Sequence, residues 1–301
     1  MYEKVKQVIA KSEVKRFHII LMLLCMFIVL TEGYDLVIYG AIKGQIIESW
    51  GMDKVTAGLL GSAALAGMMF GSITLGILAD LYGRKRVLII CLCLFSVFTG
   101  IAGFMNAPLP FAICRFFAGI GIGGAMPNAV GLLSDYAPQK SRNTLIATAM
   151  AGMQIGGILS PLITIATGSS GWRICMWIGF LPLLVVPYMI KALPDSIDYN
   201  FKKGKTEKLM MVMKKFDPNF TEAEDADWSI PNSTKSEKSP VTELFVNRRA
   251  LNTALFWMAF FSGLLMIYGL NTWLPELMQS AGYDVGSSLN FLLALNIAAF
   301  F

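Results

Sequence analysis

A short charged segment between two long apolar runs is the feature that most constrains how this chain can fold. It reads Gly76-Ile-Leu-Ala-Asp80-Leu-Tyr-Gly83-Arg84-Lys85-Arg86 and separates apolar runs at residues 55–79 and 87–106. Each run is long enough to cross a bilayer as a helix. The segment is therefore predicted to form a tight hairpin at a membrane surface, and its adjacent cations indicate the cytoplasmic surface.

The spacing of residues within the hairpin favours a functional role in addition to joining the two spans. Gly76 can let neighbouring backbones approach closely, and Gly83 can permit the turn. Asp80 is predicted to lie within reach of Arg84, with Lys85 beside them. The pattern predicts a gating element, and the alternative is a plain basic stop between two spans.

The composition is typical of a membrane protein. Of the 301 residues, 55% are hydrophobic and only 15% are charged, whereas soluble domains carry about 25% charged residues. A single histidine and the lack of a Cys/His cluster make a metal site unexpected. No Walker-type loop indicates nucleotide use, and nothing in the sequence predicts a cofactor or a nucleic-acid partner.

The apolar runs predict an all-α membrane protein with seven spans and the beginning of an eighth. The first run lacks a small-x-small cleavage site, so we expect a retained span rather than a signal peptide. A polar segment follows the sixth span, and the last run begins near Ser288 and continues to Phe301. The seven predicted spans cover residues 17–39, 55–79, 87–106, 109–134, 143–168, 171–191 and 250–272.

The distribution of cations predicts the orientation. Short segments on the side that holds the N-terminus contain ten Lys and Arg, against two on the other side. This excess predicts a cytoplasmic N-terminus. The ten are Lys4, Lys6, Lys11, Lys15, Arg16, Arg84, Lys85, Arg86, Lys140 and Arg142, and the two are Lys43 and Lys54.

Charged residues inside spans cost about 2.5–3.5 kcal/mol each at a helix centre, so each needs a reason. Glu32 and Asp35 lie three residues apart in the first span and therefore on one helical face, and Tyr39 continues this face as a candidate substrate-binding residue. Arg115 lies in the fourth span. Asp35 and Arg115 both lie roughly 8 Å below the outer ends of their spans, at 1.5 Å per residue. They are predicted partners, because a buried pair is tolerable where a single charge is not.

Two roles are open for this pair. It is either a structural ion pair that orients the two spans or a coupling element. In the second case Asp35 takes up a proton from outside, and the released Arg115 binds a substrate anion with its bidentate fork. Glu32 is either a second proton-coupling site or a residue that faces lipid or a water-filled cavity.

Three amides could also contact a substrate. Asn128 follows Pro127 in span four, Gln154 lies in span five and Asn271 in span seven. Each either lines the cavity as a ligand donor or makes a hydrogen bond within the bundle, which at Asn128 includes a group freed by Pro127.

The hairpin motif resembles the loop signature of the major facilitator superfamily of secondary transporters. Within that superfamily the chain is similar to the aromatic acid/proton symporters of the niacin, benzoate and hydroxybenzoate type. The segments that carry the second resemblance are Glu32-Gly-Tyr-Asp35-Leu36, the hairpin, Gly123-Gly-Ala-Met-Pro127-Asn128, Leu193-Pro-Asp-Ser196 and Asn271-Thr-Trp-Leu-Pro275.

The resemblance implies a fold and an organisation. The fold is the major facilitator fold, with one complete six-helix half plus the first one to two helices of the second half, so we expect a truncated chain. The expected parts are a cytoplasmic N-terminus (1–16), a six-helix half (17–193), a cytoplasmic central loop (194–249) and an incomplete second half (250–301).

The resemblance also implies a function. We expect a monomeric, proton-coupled secondary transporter, not an enzyme, that imports a small aromatic carboxylate across the plasma membrane by alternating access. The family ties the span-one aspartate, here Asp35, to transport, and the hairpin charges, here Asp80 and Arg84, to gating. Sugar/proton symport and drug or metabolite efflux are alternatives within the superfamily, and a non-transporting sensor is an alternative outside transport.

Overall fold

The structure is a computed structural model that describes residues 1–168, 171–204, 206–216, 220, 245 and 249–299. Every regular element within these ranges is helical. Seven helical stretches among them are long and apolar enough to cross a membrane. The prediction of an all-α membrane protein is confirmed, and the part of the predicted central loop at 221–244 lies outside the described residues.

Two of the spans consist of more than one helix. The fifth combines α6 and α7, and the sixth combines α8, a 3-10 helix and α9. The elements are α1 (Tyr2–Lys11), α2 (Arg16–Trp50), α3 (Lys54–Tyr82), α4 (Arg84–Ala102), α5 (Pro108–Tyr136), α6 (Arg142–Met150), α7 (Gly152–Thr167), α8 (Trp172–Trp177), the 3-10 helix (Ile178–Val185), α9 (Val186–Ala192), α10 (Ile197–Lys202), α11 (Thr206–Phe216), α12 (Arg249–Ser280) and α13 (Val285–Ala298).

The first span is longer than predicted. The predicted span ended at residue 39, but α2 continues to Trp50 and ends at Gly51, whose φ of 59° is left-handed. The continuation contains Lys43, which the prediction placed outside the membrane-spanning helix. Glu276 lies 2.5 Å from the Lys43 ammonium, and this partner makes a buried cation tolerable in the helix.

A capped turn follows at the start of α3. The Asp53 carboxylate accepts hydrogen bonds from the backbone N–H groups of Val55 and Thr56, at 3.2 and 3.4 Å. It also accepts one from the Thr56 hydroxyl. That hydroxyl, with the backbone N–H groups, holds the pKa of Asp53 below its usual range. The cap satisfies the first backbone N–H groups of α3 and so stabilises the start of this helix.

Small residues bring the helices close together. An added Cβ at Gly67 or Gly71 of α3 would meet the α5 backbone, at Gly71 the carbonyl oxygen of Ile120. Gly152 and Gly156 of α7 lie against the α2 backbone in the same way. These glycines are therefore positions where the helices pack closely.

The substitution Gly71→Ala is expected to lower the melting temperature of the purified protein, because the new methyl group forces α3 and α5 apart. Overpacking of this kind costs about 1–3 kcal/mol. Gly76→Ala on the same helix is the matched control, since an added Cβ there meets nothing within 4 Å. Equal melting temperatures for the two variants would contradict the prediction.

The chain before the first span is helical rather than a polar tail. The helix α1 buries Val5 and Ile9, and the Tyr2 hydroxyl donates to Asp198 Oδ1 of α10 at 2.8 Å. In α11, the Phe216 ring contacts Phe17 edge to face, with 5.3 Å between centroids. The three short helices therefore cover the end of the bundle that holds the hairpin, which we call the hairpin end.

The helices α12 and α13 pack against the first six spans. The α12 backbone at Asn271 contacts Gly40 of α2, and Asn296 of α13 contacts Gly157 of α7. The Asn296 amide donates to Asn271 Oδ1 at 3.0 Å. An interhelical hydrogen bond was one of the two roles predicted for Asn271, and it is confirmed.

Candidate functional site

The two charges predicted to be partners form a buried ion pair. Arg115 Nη1 lies 2.9 Å from Asp35 Oδ1 and 2.8 Å from Oδ2, and Nη2 donates to the Asp35 carbonyl oxygen at 3.3 Å. Each residue is only 1% exposed. The pairing is confirmed, and it joins α2 to α5 within the bundle.

A third group, which the sequence analysis missed, completes the pair. The Thr99 hydroxyl of α4 donates to Asp35 Oδ1, and Thr99 is as buried as the two charges. Its polarity inside an apolar span was the only available signal. Because Asp35 accepts hydrogen bonds from both α4 and α5, protonating its carboxylate disturbs contacts with two other helices.

A cavity of about 690 Å³ lies between α2, α3, α5 and α12, and we call it the central cavity. This volume is in the range of small-molecule sites. Its wall is mostly apolar and aromatic, and Glu32 is the one charged residue among those that line it. Other lining residues are Ser62, Met68, Met126, Tyr268 and Trp273.

Glu32 and Asp35 meet different surroundings although they share one helix. Glu32 is 3% exposed and lines the central cavity, where its Oε2 has no hydrogen-bond partner among the described residues. Asp35 lines a separate apolar cavity of about 360 Å³ together with Tyr34 and Thr99. Glu32 thus lies at a cavity rather than at lipid, and its part in proton coupling stays a prediction.

Four candidate substrate-binding residues (Arg115, Tyr39, Asn128 and Gln154) are absent from the lining of the central cavity in this conformation. Arg115 is held by Asp35, and the Tyr39 hydroxyl donates to the Ala57 carbonyl oxygen at 2.5 Å. The Asn128 amide donates to the Gly124 carbonyl oxygen of its own helix at 2.8 Å. Gln154 is half-buried on α7. Their contact with a substrate stays a prediction.

Arg84 of the hairpin forms an ion pair that was not predicted from the sequence. Arg84 lies 3.2 Å from Asp135 at the end of α5, whereas Asp80 is exposed and has no ion pair within the described residues. Asp80, which was predicted to lie within reach of Arg84, makes no ion pair with it in this conformation, because its side chain is exposed at the end of α3.

The hairpin glycines behave differently from each other. Gly83 has a φ of 93° and forms the predicted turn, buried against Tyr199 and Asp195. Gly76 has open space where its side chain would be, so the prediction of close backbone approach there is wrong. Lys85 is half-buried beside the turn.

A second charged cluster lies at the opposite end of the bundle, and the sequence analysis did not identify it. Lys43 Nζ lies 2.5 Å from Glu276 Oε2 and 3.3 Å from the centroid of the Trp273 ring. Lys54 Nζ lies 3.2 Å from Glu276 Oε1. This clamp (Lys43, Lys54, Trp273 and Glu276) connects α2 and α3 to α12. The sequence feature that could have indicated this cluster is Lys43, because it is a cation within an apolar stretch.

The amino-acid sequence matches the family model described as Major Facilitator Superfamily over residues 22–301. It is 39% identical to the benzoate transport protein of Acinetobacter baylyi, over 97% of this chain and 64% of that protein. It is 33% identical to the gentisate transporter of Corynebacterium glutamicum, over 91% and 57%. A 4-hydroxybenzoate transporter of Pseudomonas putida is 32% identical, over 92% and 63%. The chain therefore spans less than two thirds of the length of these relatives.

Solved structures show the same fold. A bacterial homologue of the human lysosomal transporter Spinster, in an inward-facing and unoccupied conformation, matches with a TM-score of 0.73 at 19% identity, over 96% of this chain and 61% of that one. The xylose transporter of E. coli, in a partially occluded inward-open conformation, matches with a TM-score of 0.73 at 17% identity, over 95% and 69%. The chain therefore belongs to the Major Facilitator Superfamily, and its sequence matches the aromatic acid transporters within it.

Proposed function

We propose that this protein is a proton-coupled secondary transporter that imports a small aromatic carboxylate across the plasma membrane by alternating access. The observation that carries the proposal is the buried Asp35–Arg115 pair, in a bundle that also contains a cavity of ligand size. Intramembrane ionisable residues mark ion and substrate pathways by default. The names of the relatives, which are transporters of benzoate, gentisate and 4-hydroxybenzoate, supply the substrate class.

In this proposal Asp35 is the proton site. A proton on Asp35 removes its charge, so the attraction that holds Arg115 is lost and the bonds between α2 and α5 weaken. Arg115 is then a cation without a counter-ion, and the spans rearrange or an anion approaches it. Loss of the proton on the cytoplasmic side restores the pair.

The two ends of the bundle supply the gates. The clamp of Lys43, Lys54, Trp273 and Glu276 closes the end opposite the hairpin in this conformation. Breaking and re-forming it on each cycle exposes the central cavity to alternate sides. The distribution of cations supports a cytoplasmic hairpin end, so the clamp faces outward and the N-terminus is cytoplasmic. We propose that one copy of the protein is sufficient for this cycle.

Uptake into proteoliposomes tests the proposal. With an inward gradient of one pH unit, each coupled proton can drive about tenfold accumulation of substrate. A difference of one pH unit and a tenfold concentration ratio each correspond to about 1.4 kcal/mol. We expect labelled benzoate or 4-hydroxybenzoate to accumulate and a hexose not to. Asp35→Asn is expected to lower the accumulation ratio about tenfold, since one coupled proton is lost.

Asp53→Asn is the matched control, because it makes the same chemical change at an exposed helix cap. Exchange of labelled for unlabelled benzoate in the absence of a gradient shows whether the Asp35→Asn protein is still folded. Undiminished accumulation by Asp35→Asn would exclude Asp35 as a coupling site. Accumulation of the hexose alone would replace the aromatic acid with a sugar.

A further inference from the structure

Among the described residues, the wall of the central cavity carries one negatively ionisable group and no cation. Glu32 is the only charged residue among its lining residues, and the remaining polar groups there are neutral, such as Ser62 and Tyr268. Arg115, the cation predicted to meet an anionic substrate, is held away from the cavity by Asp35. Within the part of the chain that the structure describes, a negatively charged ligand in this cavity therefore meets a carboxyl group and no cation.

The surroundings of Glu32 contain no described counter-ion. The described titratable groups that act on its charge are Asp35 on its own helix, Cys91 on α4 and Tyr268 on α12. No described Lys, Arg or His nitrogen lies within 4.0 Å of its carboxyl oxygens. Since Oε2 has no partner among the described residues, the carboxyl group has a free position for a ligand.

Two carboxylates at this position cannot both be ionised without a large cost. Like charges at short range in a poorly solvated site raise the proton affinity of the pair, which then shares one proton. A carboxylic acid is also a hydrogen-bond donor, and its bond to a carboxylate is short and strong. A bound aromatic carboxylate and Glu32 therefore favour a single shared proton.

We infer that the carboxylate of the aromatic substrate binds at Glu32 and shares one proton with the Glu32 carboxyl group. This inference rests on the proposed function, which supplies the aromatic acid. The ring of the substrate lies among Tyr268, Trp273 and Phe261, and the hydrogen bond to Glu32 orients it. Substrate and proton thus enter the same cavity together.

This arrangement couples the two flows by mass action. Binding of the substrate at a pH where Glu32 is otherwise ionised takes up one proton from the side to which the cavity is open. When the substrate leaves on the other side, the like-charge interaction disappears and Glu32 releases the proton there. By linkage, protons and substrate increase each other's affinity by the same factor.

Binding of labelled benzoate to the purified protein at several pH values tests the inference. Benzoate is ionised from about pH 6 upwards, so a pH effect measured from about pH 6 to about pH 10 reports the protein. Where Glu32 is ionised in the free protein, the wild-type dissociation constant is expected to rise about tenfold per pH unit. Glu32→Gln keeps a hydrogen-bond donor but cannot titrate, so its affinity is expected to lose this tenfold dependence. A residual pH effect that disappears when Asp35→Asn is added to Glu32→Gln comes from Asp35.

The same variant separates binding from coupling. Glu32→Gln is expected to retain exchange of labelled for unlabelled benzoate but to accumulate about tenfold less per unit of gradient, because one coupled proton is lost. The matched control is Glu48→Gln, an exposed glutamate further along α2, which is expected to behave like the wild type.

Three outcomes would overturn the inference. The first is wild-type benzoate affinity that does not depend on pH. The second is Glu32-dependent binding of benzylamine in preference to benzoate, which makes Glu32 a site for a cation. The third combines two results. Benzoate binding is lost completely in the charge-neutral double variant Asp35→Asn with Arg115→Gln, and the pH effect of the wild type persists undiminished in Glu32→Gln. Together these results place the substrate at Arg115.

Failure of the proposed function would give a different result in the same binding experiment. If the wild type bound neither benzoate nor 4-hydroxybenzoate at any pH, the aromatic acid would be the wrong substrate class and the inference would fall with it. Benzoate binding without a pH effect would remove the shared proton alone and leave an aromatic acid transporter coupled through Asp35.

Discussion

Replacing Arg115 with leucine is expected to destabilise the protein by about 3–5 kcal/mol, because the change leaves the Asp35 carboxylate buried without its counter-ion. Asp35 is 1% exposed, and its remaining side-chain partner is the Thr99 hydroxyl. A single neutral hydrogen bond does not replace a guanidinium whose Nη1 contacts both carboxylate oxygens in a poorly solvated interior. The melting temperature of the detergent-purified protein measures the loss.

The double variant Arg115→Leu with Asp35→Asn distinguishes a buried-charge effect from lost packing. It removes both charges, and neutral replacement of a buried pair is often tolerated. We expect it to melt well above the single variant, although it no longer couples protons to transport. If the single and double variants melted at the same temperature, packing of the arginine side chain rather than its charge would explain the loss.

The substitution Glu276→Ala is expected to destabilise this conformation by an amount similar to that for Arg115→Leu, about 3–5 kcal/mol, because it leaves the Lys43 ammonium without a carboxylate. Lys43 is 1% exposed, and its other described contact is the face of the Trp273 ring. A cation–π contact is worth about 2 kcal/mol when desolvated, which is too little to offset the loss.

The matched control for this prediction is Lys54→Ala. The Lys54 side chain pairs with the same carboxylate but is 65% exposed, and exposed ion pairs contribute about 0–1 kcal/mol. A large loss of stability in Lys54→Ala, or none in Glu276→Ala, would contradict the view that burial decides the strength of the clamp.

Opening of the clamp has a second readout. A Ser62→Cys probe places a thiol on the wall of the central cavity. In the Glu276→Ala background we expect a membrane-impermeant maleimide to label this thiol faster from the side of the clamp than in the Ser62→Cys protein alone. An unchanged labelling rate would show that the clamp stabilises the helices without gating access.

Several features could be predicted from the sequence because they depend on one-dimensional properties of the chain. Membrane spans follow from runs of apolar residues, and the turn at Gly83 follows from a glycine between charged residues. The Asp35–Arg115 pair also belongs here, since equal depth in two spans and opposite charge leave few alternatives. The motifs also predicted membership of the major facilitator superfamily, and the match of the family model over residues 22–301 confirms it.

Other features required the positions of helices relative to one another. Asp80 and Asp135 are both acidic residues at the hairpin end, yet only Asp135 meets Arg84, because the rotation of α3 turns Asp80 outward. Glu32 and Asp35 share a predicted face, yet one lines the central cavity and the other is enclosed with Arg115 and Thr99.

Apolar runs, the basic hairpin and the depth of opposite charges were thus enough to predict several membrane crossings and the pairing of Asp35 with Arg115. The position of Glu32 at the central cavity and the contact of Lys43 with Glu276 emerged only from the packed helices. Hydrophobicity and depth are set along each helix and can be read from the chain. Contacts between helices depend on axial rotation and on how closely small residues let backbones approach, and residues more than 200 positions apart in the chain determine both.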